Sequence, residues 1–463
     1  MTKHRKKNLT KKITLLAGAA VAALATQAHA DITGDALINK LEQKGILSAD
    51  EAKELRAENQ QDFNNSMTNS LGKSYAKITD MPSWVTSYKI SGDFRGRYEQ
   101  FSTTDNDHYV NRTRYRYRLR FGIVANILDN MEVGFRLGSG DPAQGNSGQG
   151  NELSQNSTMQ NNWTDKNIYI DTAYAKWTAI NSGDWLMAAT IGKMDNPFHF
   201  TPMVFDPDLT PEGAAITGNY SINDRQNLGF TGAAFVMDEE GNSTRDPAMF
   251  GGQVLLNSKW TDKLSSSAGI GALLITSPAQ LTAANVPYIN QGSTRNAAGV
   301  LVHNYNPIIA DANVTYLLDS FPLYNGAFPI KVGGEFIDNP AVSDNNTGYW
   351  VGVTFGKAGK KHTWDLNYRY EYLEADAWYD QMADDDNAVY YQNASPGGSV
   401  LSGLAGGTNV KGHRVQLDYS ITDALTFTLT GYVTELVNGT VPGNVNEPNS
   451  TAVHVMADLM WKF

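Results

Sequence analysis

Residues 112–121 read RTRYRYRLRF, so an arginine stands at every second position. On a β-strand, successive side chains alternate between faces, which would place all five guanidinium groups on one face and the aromatic and aliphatic residues on the other. An α-helix would spread them around its axis. Five like charges cannot enter a dry core, so their face must meet water. The stretch therefore fits a surface strand of a soluble sandwich or a wall strand of a membrane barrel with a wet lumen.

The N-terminus carries an export signal. Six basic residues precede the apolar run ITLLAGAAVAALA, and Ala28-His29-Ala30 forms a cleavage site before Asp31. We interpret residues 1–30 as a signal peptide. Its removal would leave 31 of the 37 basic residues against 48 acidic ones, a net charge of −17, which argues against a nucleic-acid partner. The chain has no cysteine, so disulfide and thiolate chemistry are excluded.

Residues 31–83 have a different pattern of apolar and polar residues from the remainder of the chain. The segment DALINKLEQKG has apolar residues at helical spacing and ends at Gly45, and Ser48-Ala49-Asp50-Glu51 matches a capping box that opens a second helix. The sequence predicts a periplasmic helical hairpin over residues 31–62 and a polar linker over 63–83. The hairpin is too small to hold its own core, so it should dock, oligomerise or bind something.

From Trp84 to the end, at residue 463, the hydrophobic pattern has period two. Seven short breaks with turn residues alternate with eight long breaks rich in Asn, Gly, Ser and Asp. This pattern predicts sixteen strands whose two termini share the short-turn side, as in bacterial outer-membrane barrels. The strand around Ala214–Tyr220 is weak, so fourteen and eighteen strands stay open.

Strand length decides between the sandwich and the barrel. Several segments keep their alternation for ten residues or more, whereas sandwich strands usually run about five or six and a tilted membrane-spanning strand needs about nine to eleven. No stretch after the signal peptide is long and apolar enough for a spanning helix. We therefore predict an all-β fold, a 16-stranded antiparallel transmembrane β-barrel over residues 84–463 preceded by the helical hairpin.

The cost of burial in lipid sets the direction of the arginines. One arginine on the lipid face costs about 2–4 kcal/mol at the bilayer midplane, and five spread through its depth on the order of 10 kcal/mol, so they must face the lumen. The preceding strand has the same arrangement in KISGDFRGRYE. The predicted pore-lining residues are Arg95, Arg97, Arg112, Arg114, Arg116, Arg118 and Arg120.

Such a ladder of like charges requires acids or anions beside it. The third long break, DNPFHFTPMVFDPDLTPEG, is unusually apolar, is stiffened by four prolines, and carries four acids. We expect it to fold inward and narrow the channel, with acids facing arginines across the gap. The alternative is that it lies on the rim and that acids of neighbouring strands balance the arginines. The predicted constriction residues are Asp195, Asp206, Asp208 and Glu212.

Several stretches resemble one known family. LINKLEQKGILSADEAKEL, ISGDFRGRYE, the tyrosine–arginine second strand, GKMDNPF with FDPDLTPEG, and the terminal aromatic Phe463 together resemble the putative porin family of Gram-negative outer membranes. The likeness spans essentially the whole exported chain. The resemblance implies a passive diffusion channel, a homotrimer like general porins, and a location in the outer membrane. Substrate identity does not transfer.

The expected function is an outer-membrane porin for small hydrophilic solutes and ions. The alternative is a structural tether whose N-terminal hairpin binds peptidoglycan or a periplasmic partner. No enzyme is expected, because the chain lacks H-E-x-x-H, G-x-S-x-G and G-x-G-x-x-G and shows no convincing nucleophile–histidine pair. Lipopolysaccharide is an expected neighbour.

No metal site or cofactor is expected. One exception is weighed: the acidic run over residues 374–386 could bind Ca²⁺, although a solvated external loop explains it better. Selectivity between anions and cations is left open, because acids outnumber bases overall while the wall patch is basic.

Overall fold

The computed structural model describes residues 84–104, 109–142, 149–241, 243–282, 292–392, 401–439 and 450–463, together with Lys44, Glu51 and Pro82. The chain divides into two units, Met1–Val85 with Phe463, and Thr86–Lys462. In the first unit the backbone N–H of Val85 donates to the carbonyl of Pro82 at 2.9 Å. The signal peptide, the helical hairpin and nearly all of the linker lie outside the described residues.

The second unit is a sheet of sixteen long strands. They are β1 (Val85–Thr103), β2 (Arg112–Ile127), β3 (Met131–Gly140), β4 (Asn167–Ser182), β5 (Trp185–Lys193), β6 (Glu212–Asn223), β7 (Gln226–Val236), β8 (Ala248–Lys259), β9 (Leu264–Thr276), β10 (Ile308–Leu318), β11 (Phe328–Asp338), β12 (Thr347–Gly356), β13 (Trp364–Leu373), β14 (Val410–Ser420), β15 (Leu425–Leu436) and β16 (Ala452–Lys462). Among the described residues, no helix reaches the length and apolarity that crossing a membrane needs.

The sheet closes on itself. Neighbours in sequence are neighbours in the sheet, and β1 pairs antiparallel with β16 in a register that runs from Asp93 opposite Lys462 to Thr103 opposite Ala452. Closure removes the unpaired backbone edges that lipid could not hydrogen-bond. The weak strand of the sequence pattern is real, since β6 pairs along its length with both β5 and β7. The prediction of a 16-stranded antiparallel barrel is confirmed, and fourteen and eighteen strands are excluded.

The two faces of the wall follow the alternation in the sequence. On β16 the lumen side carries the buried His454, Met456 and Asp458, while Leu459 and Trp461 are exposed on the outside. On β13 the lumen side carries Arg369 and Glu371, both buried, whereas the tyrosines and Leu366 alternate with them on the outside. An apolar exterior and a polar interior are what a spanning barrel requires.

Aromatic residues lie on the outer face near the short turns. Trp185, Trp260 and Trp461 are all among the exposed side chains, and the ring of Trp185 lies 4.6 Å from that of Tyr220 on the adjacent strand. Aromatic rings favour the boundary between lipid and water, which is why such girdles mark the edges of the apolar band.

The short turns and the long loops lie at opposite ends of the barrel. The turn between β2 and β3 places Asp129 and Asn130 at φ of 64° and 60°, a left-handed conformation that these residue types tolerate. At the other end, loop 2 (141–166), loop 3 (194–211), loop 5 (277–307) and loop 7 (374–409) are the longest connections.

The long loops supply the apolar core inside the barrel. Met203 and Val204 of loop 3, Tyr305 of loop 5 and Trp378 of loop 7 are fully buried in one cluster with inward-facing residues of the wall. Loop 2 adds Ser157–Thr158 to β2, and loop 7 forms a small hairpin from Val389–Gln392 and Leu401–Ala405. The core of this protein therefore lies within the lumen, at the loop end.

Candidate functional site in the barrel lumen

The arginines of β1 and β2 point into the barrel. We call this row the arginine stripe; its members are Arg95, Arg97, Arg112, Arg114, Arg116, Arg118 and Arg120. Arg116 and Arg118 are each 5% exposed, whereas Tyr115, the residue before Arg116, is 57% exposed on the outer face. Arg112, at the loop end of the stripe, stacks over the ring of Tyr391 in loop 7 at 4.7 Å. The structure therefore places β2 in the register that the cost of lipid exposure predicts.

Glu99 is the central acid of the stripe. This carboxylate of β1 is completely buried and accepts hydrogen bonds from Arg97 at 3.3 Å, from Arg116 at 3.4 Å and from the Nε of Arg114. A buried carboxylate is tolerated only when charged donors surround it, and here three guanidinium groups converge on one acid.

Two further acids of the wall complete the pairing. Asp458 of β16 accepts two hydrogen bonds of 2.8 Å from Arg97, a fork of the kind that guanidinium groups favour. Asp93 of β1 pairs with Arg118 at 3.0 Å and with Arg120 at 2.7 Å. These acids lie in register with their partners, since Asp458 is directly opposite Arg97 across the closing pair of strands.

Loop 2 also covers the stripe. Arg116 donates to Ser154 Oγ and to the carbonyl of Asn156, both at 3.1 Å, and Arg95 donates to Asn156 Oδ1 at 2.8 Å. The guanidinium Nε atoms of Arg95 and Arg116 are buried without a hydrogen-bond partner among the described residues. The stripe is thus held by acids and polar loop groups rather than facing an open channel along its whole length.

Of the four acids predicted for the constriction, Asp208 reaches the stripe. Its carboxylate lies 3.1 Å from Arg118 and 3.9 Å from Arg120. Burial alone would raise the pKa of Asp208, but the guanidinium groups of Arg118, Arg95 and Arg120 outweigh burial and lower it, so the carboxylate stays ionised. Loop 3 therefore folds inward, and its acid touches the arginines instead of facing them across a gap.

Asp206 lies beside Asp208 but is not paired with an arginine. Its Oδ1 accepts the backbone N–H of Asp208 at 2.7 Å, and its own N–H donates to the carbonyl of Met382 in loop 7 at 2.7 Å. Burial, followed by the charges of Asp385 and Asp208, raises its pKa well above the ordinary value. Asp206 therefore joins loop 3 to loop 7 through its backbone and binds the backbone of Asp208 through its carboxyl group.

The other two predicted constriction acids lie away from the stripe. Asp195 pairs with Arg136 of β3 at 2.6 Å and its side chain is 69% exposed. Glu212 opens β6, pairs with Lys193 at 3.0 Å and is 64% exposed. The structure brings neither of them to the arginines of β1 and β2.

Loop 3 is anchored on the far wall as well. The N–H of His199 donates to Gln253 of β8 at 2.8 Å, and the N–H of Thr201 donates to Glu335 of β11 at 3.1 Å. In a closed ring of sixteen strands, β11 lies across the lumen from β2. The same loop thus contacts Glu335 through Thr201 in its middle and Arg118 through Asp208 near its C-terminal end.

Apolar packing supports these contacts of loop 3. The rings of Phe198, Phe200 and Phe205 stack with centroids 5.5–6.1 Å apart, and Phe205 meets the edge of Trp378 at 6.0 Å. The indole N–H of Trp378 donates to the carbonyl of Val204 at 2.8 Å. The apolar residues that looked unusual for an exposed loop are thus buried against loop 7.

Loop 7 is the element that sequence reasoning missed. Its acidic run is buried and bonded to protein donors rather than solvated: Asp376 binds the N–H of Thr294 at 2.9 Å, and Asp380 pairs with Arg295 at 3.1 Å. The expectation of a solvated external loop is wrong for these residues, because loop 5 packs over them. The aromatic pair Trp378–Tyr379 between Asp376 and Asp380 was the available signal.

Three carboxylates of loops 3 and 7 meet at one point. Ligand atoms of Asp206, Asp384 and Asp385 lie within 4.8 Å of one another. Burial, followed by the charges of Asp386 and Asp384, raises the pKa of Asp385 well above its ordinary value, as it does for Asp206. The three acids therefore lie close enough to influence one another, and the Ca²⁺ site over residues 374–386 stays the less favoured hypothesis.

Part of this chain matches a family model, and its fold is similar to those of solved porins. A family model described as "Putative porin" matches residues 103–273. No curated protein matches the chain. Solved structures similar to it include the high-pH structure of Pseudomonas putida OprB (9% identity, 81% of this chain and 94% of that chain, TM-score 0.45) and a porin mutant of Rh. blastica (13% identity, 81% and 100%, TM-score 0.38).

The matched segment holds much of the candidate site. It begins at the last residue of β1, contains the stripe of β2 and all of loops 2 and 3, and ends within β9. Residues 103–273 are thus similar to the putative porin family, and the whole sheet forms the closed barrel of sixteen strands that the sequence predicts.

Proposed function

We propose that this protein is an outer-membrane channel that lets small hydrophilic solutes and ions cross by passive diffusion, narrowed by loop 3. One observation carries the proposal: the barrel is closed, its exterior is apolar, and its interior holds charged and amide side chains. A barrel of sixteen strands is wide enough to enclose an aqueous channel. Membrane β-barrels of this kind belong to outer membranes, and we place this one in a Gram-negative envelope with the short turns facing the periplasm.

Planar-bilayer recording of the purified full-length protein tests the proposal. We expect a steady, ohmic conductance in potassium chloride that scales with bulk conductivity. A barrel that inserts but gives no conductance above the detergent control contradicts the proposal, because a lumen sealed by its loops carries no current.

The stripe should bias selectivity among ions. With Arg116, Arg118 and Arg120 replaced by glutamine, Asp93 and Asp208 lose their arginine partners and Glu99 keeps two of its three, while all three acids keep their negative charge. We expect the reversal potential in a salt gradient to shift toward cations. An unchanged ratio of anion to cation permeability would mean that the stripe is structural only.

A channel is favoured over an enzyme by the family match and by the barrel fold. The homotrimeric assembly depends on the family resemblance alone, and contact with lipopolysaccharide depends on the outer-membrane location. A tethering role of the N-terminal hairpin toward peptidoglycan is the alternative function, and it is compatible with a channel. Native mass spectrometry in detergent would measure the oligomeric state, and pull-down with peptidoglycan sacculi would test the hairpin.

A further inference from the structure

A polar cavity of about 850 Å³ lies on the lumen wall at the turn end of β6–β10, away from the arginine stripe. Its walls come from the inner faces of these strands and its rim from the turns between them. Neither loop 3 nor loop 7 contributes a lining residue. The cavity is therefore separate from the candidate constriction.

The cavity contains a continuous row of uncharged polar side chains. The cross-strand register puts one residue of each strand directly opposite the next: Ser221 (β6), Asn227 (β7), Asn257 (β8), Ser267 (β9) and Asn313 (β10). Directly opposed residues have Cβ atoms about 5 Å apart, so the polar ends of these side chains form one row across the five strands. The row offers carboxamides and hydroxyls, which both donate and accept hydrogen bonds.

Most of this hydrogen-bonding capacity is unused. Asn257 Nδ2 donates to Asn227 Oδ1 at 3.3 Å, and Asn227 Nδ2 donates to Asn219 Oδ1 at 3.4 Å, both long. Within the part of the chain that the structure describes, the side chains of Ser267 and Asn313 have no hydrogen bond. These groups are therefore available to a solute.

The charges on the rim balance one another, because three acids and three bases line it: Asp184, Asp224, Asp262, Arg225, Lys259 and Lys263. Lys259 lies 3.4 Å from Asp262, and Lys263 lies 2.6 Å from Asp319. They are largely exposed, so water screens them, and they add no strong field of either sign to the row beneath. An ion would gain no counter-charge at the row, and an apolar solute would leave the carboxamides unpaired.

We propose that this cavity is a binding site for neutral polyhydroxylated solutes, for which sucrose serves as the probe. The inference rests on the proposed channel function and deepens it by naming the solute class. Alternating donors and acceptors along the row match the hydroxyl groups of such a molecule, each of which both donates and accepts. The site lies on the inner face of the wall, and neither loop 3 nor loop 7 covers it. A solute that diffuses into the turn end of the barrel would therefore meet it.

Saturation-transfer difference NMR tests the site without requiring conduction. The full-length barrel, in a detergent free of sugar groups, is titrated with sucrose, and Asn257→Leu/Asn313→Leu removes the carboxamides while keeping side-chain volume. Asn367→Ala is the matched control, because Asn367 is a lumen asparagine of β13 outside the cavity. We expect about a tenfold loss of affinity in the double variant, from one to two lost hydrogen bonds, and none in the control.

Each outcome decides the inference. Saturation transfer to sucrose that is equal in the double variant and the wild type, or absent in the wild type, overturns it, as does transfer to glutarate in place of sucrose. If the double variant fails to fold, Ser267→Ala is used, with a loss of about threefold expected. Conductance in potassium chloride is recorded separately: its absence would overturn the channel proposal, while sucrose transfer that depends on Asn257 and Asn313 would still support the site.

Discussion

At the scale of single residues, the lumen is governed by the pairing of charges rather than by free charge. Glu99 binds Arg97, Arg114 and Arg116 at once. Asp458 also binds Arg97, and Asp93 binds Arg118 and Arg120. Burying ions costs several kcal/mol each unless well-placed partners surround them. The wall patch that looked basic in the sequence is therefore a mixed ionic network.

Replacing Glu99 with glutamine should destabilise the barrel. Three buried guanidinium groups would lose their shared carboxylate, a loss of about 3–5 kcal/mol for a broken buried pair. Equilibrium unfolding in guanidinium chloride, followed by tryptophan fluorescence in lipid vesicles, measures the change. Glu212→Gln is the control, since its exposed pair with Lys193 should contribute under about 1 kcal/mol. Equal losses in the two variants would contradict the role of Glu99.

Glu152 of loop 2 should make that loop sensitive to pH. Both of its carboxylate oxygens are buried, and burial raises the pKa of Glu152 to about 7, opposed by its own backbone N–H and by the charge of Lys193. An acid whose pKa is raised in the folded state stabilises the fold below its unfolded pKa, and that stability is lost as the pH rises toward 7. The window therefore lies between about pH 4.5 and pH 7.

Hydrogen exchange of residues 149–166 measures this effect. In the wild type, the protection of loop 2 should fall by at most about 1.4 kcal/mol per pH unit across the window, after correction for intrinsic exchange. Glu152→Gln should remove the dependence, because the amide stays neutral. The same slope in wild type and variant would show that Glu152 does not control the loop.

At the scale of elements, loop 3 contacts several strands of the barrel wall from the inside. Its apolar segment packs against loop 7, its His199 and Thr201 amides bind β8 and β11, and its Asp208 binds β2. We expect such a loop to narrow the lumen only while its contacts with β8 and β11 and its contact with β2 are all intact. Proline at positions 197, 202, 207 and 211 limits the conformations it loses on docking.

Asp208→Asn should change the ion selectivity of the channel. The substitution removes one ionised carboxylate beside Arg118 and Arg120, so the local potential becomes more positive. We expect the reversal potential in a salt gradient to shift toward anions. Asp195→Asn, on the same loop but paired with Arg136 and largely exposed, is the control and should shift it less. A larger shift in the control would place the narrowest point elsewhere.

At the scale of the whole molecule, closure between β1 and β16 makes the barrel possible. Eleven residue pairs, from Asp93–Lys462 to Thr103–Ala452, join the two ends of the sheet. The same pairing places Asp458 directly opposite Arg97. It therefore closes the sheet and also gives one arginine of the stripe its acid partner.

A chain that ends at Ser450 should therefore fail to insert. Without β16 the edges of β1 and β15 would expose unpaired backbone groups to lipid, and Arg97 would lose its principal acid. We expect loss of the compact form that migrates faster on unheated gels. Deleting only Lys462 and Phe463, at the turn end, is the control and should leave insertion unchanged. Normal insertion of the truncated chain would contradict closure by β16.

The sequence alone determined the barrel fold, the two faces of each strand and the face that the arginines share, and it favoured sixteen strands while fourteen and eighteen stayed open. These follow from local rules, because alternation with period two and the cost of a guanidinium in lipid act on each strand separately. It also indicated that loop 3 folds inward, through the apolar residues around Met203.

Only the tertiary structure decided which acids neutralise the stripe and how the loops fill the lumen. Asp458 lies 361 positions from Arg97 in the chain and meets it only through closure. Loop 7 owes its buried acids to loops 5 and 3, and Glu212 leaves the constriction because β6 begins at that residue. Such contacts depend on long-range register and on packing between loops, for which local patterns carry no information.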